Sequence, residues 1–240
     1  VRIRYAEEAD AGGVRVLNEH VHTEGPATDE LVVDDRTRVW EPRFSYQGFR
    51  FVQIDGVDDP ADVELLAQHA HSDVAEVSTF ACSDEVLTWI DRAMRLTVRN
   101  NLHHIPTDTP LYEKNGWLGD VHVALEAMLH QFDLATLLTT WAGDIADTQT
   151  ETGQLAVIAP TPGWGYMRAP EWTTVYPTLL ARMHAWYGAD AVPPGFADPL
   201  VRFLDHELDQ VGEDGLVEGV LGDYLASGSV GTPPQDDLRI

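Results

Sequence analysis

Residues 105–119 read IPTDTPLYEKNGWLG and separate two stretches with helical periodicity. Together with the residue that follows, this loop carries Asp108, Glu113, Trp117 and Asp120 within a span of 13 residues. Carboxyl groups beside an aromatic side chain suit acid–base chemistry on a neutral polar substrate, because burial against tryptophan raises a carboxyl pKa until the group can donate a proton near neutral pH. Tryptophan can also stack on the apolar face of a sugar ring, so the loop is a candidate site.

Each of these four residues also has an ordinary structural explanation. Asp108 could form an Asx-turn, and Asp120 could occupy the first turn of the next helix, where the helix dipole favours an acid. Glu113 could pair with Lys114 on the surface, and Trp117 could belong to the core. The concentration of these residue types in one loop framed by proline and glycine keeps the functional interpretation open beside these alternatives.

A second loop, residues 159–172, reads APTPGWGYMRAPEW and has a similar composition. It carries Trp164, Tyr166 and Trp172 together with one cation, Arg168. Such a loop could form an aromatic wall of a binding site, since binding residues are concentrated on loops that a rigid scaffold positions. The alternative is a proline-stiffened loop whose aromatic side chains pack on the helices.

Apolar residues recur at spacings of three and four from Ser83 onward, which is typical of amphipathic helices. Ser83 is the predicted N-cap of the first helix, because Asp84 and Glu85 follow in the first turn. The five predicted helices carry apolar stripes at residues 87–102, 121–132, 134–145, 172–186 and 200–211. Successive helices joined by short loops indicate antiparallel helical hairpins.

The first third of the chain alternates apolar and polar residues, as strands with one buried face do. The predicted strands are residues 1–5, 14–16, 31–33, 49–54 and 75–80. This pattern favours an antiparallel sheet or sandwich over a parallel sheet with crossover helices. The change to helical periodicity at residues 81–83 sets the predicted domain boundary, with a sheet domain at 1–82 and a helical domain at 83–240.

The chain is strongly acidic: its 240 residues include 15 Lys+Arg against 40 Asp+Glu, which gives a formal net charge of −25. Lys114 is the only lysine. This composition argues against nucleic acids or anionic membranes as partners, since both need clustered cations. No stretch approaches the ~20 apolar residues of a membrane span, and the charged N-terminal residues do not resemble a signal peptide. The sequence assigns no compartment and no oligomeric state.

The acidic excess has two explanations that the sequence leaves open. Proteins that work in high salt carry a large negative surface charge, which the salt screens. A GC-rich genome would equally favour arginine over lysine on an ordinary acidic surface. The chain begins with Val1 and ends at Ile240 without a closing element, so we expect it to be a piece of a longer protein.

Other familiar chemistry finds little support in the sequence. The 10 histidines show no metal-site spacing such as H-E-x-x-H, so we expect neither a metal nor a cofactor. Phosphate-binding loops and the G-x-S-x-G motif are absent from the sequence. Cys82 is the single cysteine, which excludes an internal disulfide, and we expect it to be a small buried apolar residue.

Two linked motifs make the first loop recognisable: PTD at residues 106–108 and EKNGWLGD at residues 113–120. They resemble the motif of the α-L-rhamnosidases of glycoside hydrolase family 78, in which Asp, Glu, Trp and Asp follow one another at the same spacing. Further similarity is found at residues 42–44, 48–50, 80–84, 100–102 and 159–164. The resemblance covers essentially the whole chain and is strongest between Pro42 and Gly188.

The resemblance implies a β-sandwich portion followed by an (α/α)6 barrel of helical hairpins that is incomplete in this chain. It also implies hydrolysis of terminal α-L-rhamnose from a glycoside or polysaccharide, with inversion at the anomeric carbon. Glu113 would be the general acid that protonates the departing oxygen, while Asp108 and Asp120 would hold rhamnose hydroxyls and tune Glu113. Trp117 would line the pocket beneath the sugar, and Trp172 would form another wall.

The sequence departs from the family pattern in two ways. Many members have Cys-Pro-Gln-Arg after the first aspartate, whereas residues 109–112 here are TPLY, so Tyr112 replaces an arginine. An inverting enzyme also needs a second carboxylate ~6.5–9.5 Å from the acid, and the resemblance implies that this base lies beyond the end of the chain. Two alternatives stay open: the same fold acting on another sugar, with Arg168 meeting a substrate carboxylate, or a sugar-binding relative without turnover.

Overall fold

The structure is a computed structural model that describes residues 1–15, 27–34 and 39–221. Its contacts divide the chain into two units. The first, the sheet unit, consists of the described residues of Val1–His71 together with Asp108–Lys114. The second, the helical unit, consists of Ser72–Thr107 and the described residues from Asn115 onward.

The sheet unit contains these strands within its described residues: β1 (Arg2–Ala6), β2 (Glu8–Asp10), β3 (Gly13–Arg15), β4 (Thr28–Glu30) and β5 (Phe51–Asp55). Strand β1 lies between β4 and β5 and pairs with both, with Ile3 opposite Asp29 and Ile54. Strands β2 and β3 form a separate hairpin. All of these pairs are antiparallel, as the sequence predicts. The predicted strand at 14–16 corresponds to β3, and its last residue, Val16, lies outside the described residues.

The core of the sheet unit forms on one face of β1. Ile3 and Tyr5 alternate with arginines and are buried together with Ala27 and Leu111. Burial of a large apolar side chain contributes about 1.5–3 kcal/mol. Leu111 belongs to the segment Asp108–Lys114, so this segment packs in the sheet unit although its sequence neighbours on both sides fold into the helical unit.

One predicted strand is displaced in the structure. The strand predicted at residues 31–33 is found three residues earlier, as β4. Only Leu31 continues the pairing, because its N–H donates to the oxygen of Val1 over 2.8 Å and its oxygen accepts from the N-terminus over 2.9 Å. Val32 is fully exposed, so its apolar side chain marks no buried strand face within the described residues.

The helical unit contains these helices within its described residues: α1 (Glu85–Asn100), α2 (Leu118–Gln131), α3 (Ala135–Asp147), α4 (Pro170–Thr173), α5 (Val175–Tyr187) and α6 (Ala197–Asp209). Two short strands, β6 (Leu102–His103) and β7 (Ile105–Pro106), pair after α1. Each predicted stripe lies largely on a helix, which confirms the helical periodicity. The fourth stripe is divided between α4 and α5 at Thr174, and Pro177 in the first turn of α5 has no N–H to donate to the carbonyl of Thr173.

Helices α2, α3 and α5 supply most of the buried core of the helical unit. The largest fully buried side chains of this core are Trp141, Tyr176, Phe132 and Phe203. The apolar stripes of these three helices therefore face a core, as predicted. In α6 the stripe is buried at Phe203, whereas Leu204 and Leu208 are exposed among the described residues.

Helix α1 begins one residue later than predicted, with Asp84 instead of Ser83 as its N-cap. The Oδ1 atom of Asp84 accepts hydrogen bonds from the N–H groups of Val86 and Leu87 at 2.8 and 3.1 Å. An aspartate here also complements the helix dipole. Cys82 is exposed, so the expectation of a buried residue is wrong: it lies in the connection before the helix, where its Sγ donates to the Asp84 oxygen over 3.2 Å.

The contacts divide the chain at Ser72, whereas the sequence predicts the domain boundary at residues 81–83. The N–H of Ser72 donates to the oxygen of Leu102 over 2.7 Å, which attaches this stretch to the helical unit. Residues 75–80 do not form the predicted strand, because one isolated bridge to the chain after α2 provides no ladder. At the other end of the predicted helical domain, residues 222–240 lie outside the described residues.

Candidate active site

Two predicted site carboxylates, Asp108 and Glu113, lie on the segment Asp108–Lys114 of the sheet unit. Both residues are partly buried. The N–H of Glu113 donates to Oγ1 of Thr109 over 3.2 Å and closes the turn between the two carboxylates. Because one short segment carries both groups, a displacement of its backbone would move them together.

The sheet unit holds this segment by its backbone and by an apolar side chain. The N–H of Gly48 donates to the oxygen of Pro110 over 2.9 Å. A Cβ atom at Gly48 would lie 2.7 Å from Cγ of Pro110, so the close approach requires glycine at this position. The neighbouring Leu111 is buried in the core of the sheet unit.

Lys114 ends the segment and binds the same unit. Its Nζ donates to the backbone oxygen of Tyr46 over 2.6 Å, and Oε1 of Gln47 lies 3.4 Å away. The ammonium is also 4.7 Å from the centroid of the Tyr46 ring, within the range of a cation–π interaction. Burial lowers the pKa of Lys114, and the charge of Asp29 opposes this shift. The sequence assigns no role to Lys114, and the structure shows that its side chain attaches the segment to Tyr46 and Gln47.

The residues that follow Asn115 belong to the helical unit, where an antiparallel bridge joins the two site loops. The N–H of Leu118 donates to the oxygen of Val157, and the N–H of Ala159 donates to the oxygen of Gly116, both over 2.9 Å. A Cβ atom at Gly116 would collide with the carbonyl of Ala159, so glycine is required there. These bonds hold the backbone on both sides of the next predicted site residue.

That residue, Trp117, is the centre of a tryptophan cluster formed by Trp117, Trp164 and Trp172. The ring centroids of Trp117 and Trp164 are 5.6 Å apart with an interplanar angle of 68°. Those of Trp117 and Trp172 are 5.2 Å apart at 76°, so both contacts are edge to face. Trp164 remains 43% exposed. The structure brings Trp117 and Trp172 together and adds Trp164, which the sequence places in the second loop but not among the site residues.

Trp172 lies in α4, and its ring fits against Gly119 at the start of α2. A Cβ atom at Gly119 would lie 2.5 Å from Cδ2 of Trp172, well inside the contact distance of two carbon atoms. Ile158, Met167 and Leu221 belong to the same apolar group. The position of the Trp172 ring therefore depends on the absence of a side chain at Gly119.

Asp120 lies in the first turn of α2 and is exposed. This is the helix-dipole position that the sequence offers as a structural alternative. Asp120 belongs to the helical unit, whereas Asp108 and Glu113 belong to the sheet unit, so the three predicted carboxylates are divided between the two units.

Arg168, the cation of the second loop, forms an ion pair with Glu218 at 2.8 Å. The N–H of Val220 donates to the oxygen of Arg168 over 3.0 Å, and the N–H of Leu221 donates to Oε1 of Glu171 over 3.1 Å. These bonds attach residues 218–221 to the second loop. Arg168 has a carboxylate partner within the chain, and the structure adds no support for a substrate carboxylate at this position.

Glu207 on α6 is a partly buried carboxylate that the sequence does not single out. Its Oε1 accepts a hydrogen bond from Oγ1 of Thr173 over 3.4 Å. Burial raises the pKa of Glu207, and the charge of Glu171 adds to the rise while that of His206 opposes it. The sequence contains one signal that could have identified Glu207. Glu207 lies four residues after Phe203, so both side chains are on the same face of α6.

Other kinds of site find no support in the part of the chain that the structure describes. There, no three His, Cys, Asp or Glu side chains converge so as to hold a metal ion. Among the same residues, no helix has both the length and the apolar character to cross a membrane. A groove of about 480 Å³ on the helical unit, beside His104 and Asp133, contains none of the predicted site residues.

Two family models match this chain in succession. The bacterial alpha-L-rhamnosidase concanavalin-like domain matches residues 1–72. The bacterial alpha-L-rhamnosidase 6 hairpin glycosidase domain matches residues 75–238. The change from one to the other falls close to Ser72, where the contacts also divide the chain. The helices α1–α6 of the described residues are fewer than six hairpins require, which agrees with the expectation of an incomplete barrel.

Individual relatives agree with the family models. An α-L-rhamnosidase of Formosa agariphila is 29% identical over an alignment of 216 residues that covers 85% of this chain and 22% of that protein. The structure of an α-L-rhamnosidase from Dictyoglumus thermophilum matches 90% of this chain and 24% of its own with a TM-score of 0.77 at 31% identity. A Streptomyces avermitilis α-L-rhamnosidase complexed with L-rhamnose shares the fold, with a TM-score of 0.82 at 24% identity over 98% of this chain and 23% of that one.

The chain spans less than a quarter of the length of these relatives. Both of its units are nevertheless matched, and the helical family model alone covers more than half of its residues. The chain therefore belongs to the bacterial α-L-rhamnosidase family, with a concanavalin-like domain followed by a six-hairpin glycosidase domain.

Proposed function

We propose that the protein containing this chain hydrolyses terminal α-L-rhamnose from a glycoside or polysaccharide. The observation that carries the proposal is the presence of Asp108, Glu113, Trp117 and Asp120, at the spacing of the family motif, in a chain that both rhamnosidase family models match. The relatives are α-L-rhamnosidases, and one of them is complexed with L-rhamnose in its crystal structure.

In this proposal Glu113 is the general acid. It protonates the glycosidic oxygen as the bond from that oxygen to the anomeric carbon breaks, which a positioned acid accelerates by about 10²–10⁴-fold. The attachment of its segment at Gly48 and Lys114 supports this role, since a proton donor must be held within hydrogen-bond reach of the departing oxygen. Asp108, on the same segment, binds sugar hydroxyls and tunes the acid.

The reaction proceeds with inversion, because water attacks the face of the sugar opposite to the acid. A second carboxylate ~6.5–9.5 Å from Glu113 must activate that water. The motif that this chain shares with the family supplies the acid and its neighbours but not this base. We propose that this base lies on a later part of the barrel, as the resemblance to the family implies.

The tryptophan cluster supplies the apolar wall of the sugar site. Trp117 lines the pocket beneath the sugar, and Trp172 forms a second wall. Their mutual edge-to-face contact supports these roles, because rings that are already fixed lose little conformational entropy when a ligand packs on them. Asp120, exposed at the start of α2, binds a further hydroxyl group.

Tyr112 stands where many members of the family have an arginine. Its ring packs partly against the core of the sheet unit. A phenol donates one hydrogen bond, whereas a guanidinium has five N–H donors, so this protein contacts the sugar with fewer donors at that position. The difference concerns the selectivity between sugars more than the type of reaction.

A panel of 4-nitrophenyl glycosides, incubated with the complete protein that contains these residues, tests the proposal. We expect the α-L-rhamnoside to have the highest kcat/KM, and proton NMR to show a first product of the opposite anomeric configuration. Faster hydrolysis of another glycoside would contradict the sugar assignment, and retention of configuration would contradict the mechanism. Binding of rhamnose without any turnover would favour the sugar-binding alternative.

A further inference from the structure

We infer that Lys114 is a positioning residue for Glu113: by binding Tyr46 and Gln47 of the sheet unit, its ammonium fixes the backbone that presents the Glu113 carboxyl. The inference rests on the proposed role of Glu113 as the general acid. Residues 46–48, here called the anchor, are distant from Glu113 in the sequence. Because they hold the segment that carries Glu113, the sheet unit contributes to the position of the acid.

The ammonium of Lys114 has well-defined partners. Its 2.6 Å bond to the Tyr46 oxygen is short for an N–H donor, as charge-assisted bonds are. Gln47 offers a second acceptor at 3.4 Å, and the ring of Tyr46 covers the charge at 4.7 Å. Lys114 is also partly buried. A charge that is partly removed from water stays with its hydrogen-bond partners, because a partly buried charge without partners has a high free energy.

The backbone at Lys114 is constrained at the same place. Its φ is 55°, in the left-handed region, which costs a residue with a side chain about 1–2 kcal/mol. Such a conformation persists only where the surroundings impose it. The chain therefore changes direction immediately after Glu113, and the bonds made by Lys114 Nζ hold that change of direction in place.

The anchor holds the segment at a second point. Gly48 donates to the oxygen of Pro110 over 2.9 Å, four residues before Lys114. Glu113 lies between these two attachments, and its own N–H is tied to Thr109. Two fixed points on either side of a residue define its backbone position, so the direction of the Glu113 side chain depends on both.

The chemistry of the side chain explains why a lysine stands here in a chain whose other cations are arginines. A compact ammonium can donate to the Tyr46 oxygen while it lies over the ring of the same residue. The planar guanidinium of arginine presents its donors in a fixed fork, so it would meet the Tyr46 oxygen and ring with a different geometry. We therefore expect Lys114→Arg to restore part of what Lys114→Met removes.

The test is the dependence of the rate on the leaving group in the complete protein that contains this chain. A misplaced acid slows departure of a poor leaving group, which needs a proton, more than departure of a good one. We expect Lys114→Met to lower kcat for phenyl α-L-rhamnoside by about tenfold or more while kcat for the 2,4-dinitrophenyl rhamnoside changes by about twofold or less. KM should change little for both substrates.

Three variants complete the series. Gly48→Ala pushes a Cβ atom against Pro110 and should give the same selective loss by a different route. Lys114→Arg should lie between Lys114→Met and the wild type. Arg2→Met is the matched control, because it removes a cation of the sheet unit whose ion pair with Glu30 is exposed, and it should leave both rates unchanged.

Glu113→Gln, measured in the same series, separates the two claims. If Glu113→Gln shows the selective loss and neither Lys114→Met nor Gly48→Ala does, the positioning role is overturned while the proposed function stands. Equal losses on both substrates in Lys114→Met and Gly48→Ala would also overturn it, because they would indicate a general structural defect. If Glu113→Gln shows no selective loss, Glu113 is not the general acid, and that part of the proposed function fails together with the positioning role. Should Lys114→Met not fold, Gly48→Ala and Lys114→Arg decide the outcome.

Discussion

The indole rings of Trp117 and Trp172 meet edge to face, with their centroids 5.2 Å apart and their planes at 76°. Trp117 directly precedes α2 and Trp172 lies in α4, so the two rings come from different parts of the helical unit. Their contact depends on Gly119, which leaves room for the Trp172 ring, and on the backbone bonds that join the two loops. A small change at Gly119 therefore tests whether the position of Trp172 matters for binding of the sugar.

Gly119→Ala should weaken substrate binding without removing any functional group. The new Cβ atom would lie 2.5 Å from Cδ2 of Trp172, so the Trp172 ring would have to shift. Such overpacking costs about 1–3 kcal/mol. We expect KM for an aryl α-L-rhamnoside to rise about tenfold, with a smaller change in kcat. Gly143→Ala in α3 is the control, since nothing lies within 4 Å of its added Cβ atom and KM should not change. Unchanged KM in Gly119→Ala would argue against Trp172 as a wall of the site.

Trp141→Phe should destabilise the helical unit, because it removes a hydrogen bond to Ala159, the first residue of the second loop. Trp141 is 0% exposed, and its Nε1 donates to the oxygen of Ala159 over 2.9 Å. Loss of the donor leaves a buried carbonyl unsatisfied, which costs about 1–3 kcal/mol. Urea unfolding should show a lower midpoint for this variant, while Trp89→Phe on the exposed surface of α1 should stay within about 0.5 kcal/mol of the wild type. Equal midpoints for Trp141→Phe and the wild type would show that the bond contributes little.

Glu207→Gln should stabilise the protein at neutral pH and lose this advantage in acid. Burial raises the pKa of Glu207 in the folded protein above its unfolded value. The stabilising contribution of the protonated carboxyl is fully present below the unfolded pKa and is lost as the pH rises through the folded pKa. The amide stays neutral throughout and can keep the bond from Thr173.

Thermal unfolding across this pH range measures the effect. The difference in Tm between Glu207→Gln and the wild type should grow from about zero near pH 4 to a clear advantage for the variant at neutral pH. Glu213→Gln, at an exposed position after α6, serves as the control for the loss of one negative charge. A difference in Tm that does not vary with pH would contradict the proposed titration of Glu207.

The helices were predictable because their periodicity reports burial directly. The stripes of α2 and α3 face a core, and the type and approximate extent of each helix follow from the spacing of apolar residues. Strands depend on partners that are distant in the sequence. The apolar run therefore placed the predicted strand at residues 31–33, three residues after β4. The N-cap of α1 differed by one residue because Ser83 and Asp84 are both good capping residues, and local pattern does not choose between them.

The candidate site was predictable in its residue types but not in its arrangement. The spacing of Asp108, Glu113 and Trp117 can be read directly from the sequence, and the resemblance to the rhamnosidase motif rests on it. The attachment of Asp108–Lys114 to the sheet unit depends on contacts with Tyr46 and Gly48, more than sixty residues away, which no local pattern encodes. The contact role of Lys114 therefore became visible only in the structure.

Hydrolysis of phenyl α-L-rhamnoside by Glu113→Gln, in the complete protein that contains this chain, is the most direct measurement of the role assigned to Glu113. Because the amide cannot give up a proton to the departing oxygen, we expect kcat to fall by about 10²–10⁴-fold, with the loss much smaller for the 2,4-dinitrophenyl rhamnoside. Glu126→Gln, at a surface glutamate paired with Arg182, should retain wild-type rates on both substrates. Turnover of the phenyl rhamnoside by Glu113→Gln at the wild-type rate would contradict the assignment of Glu113 as the general acid.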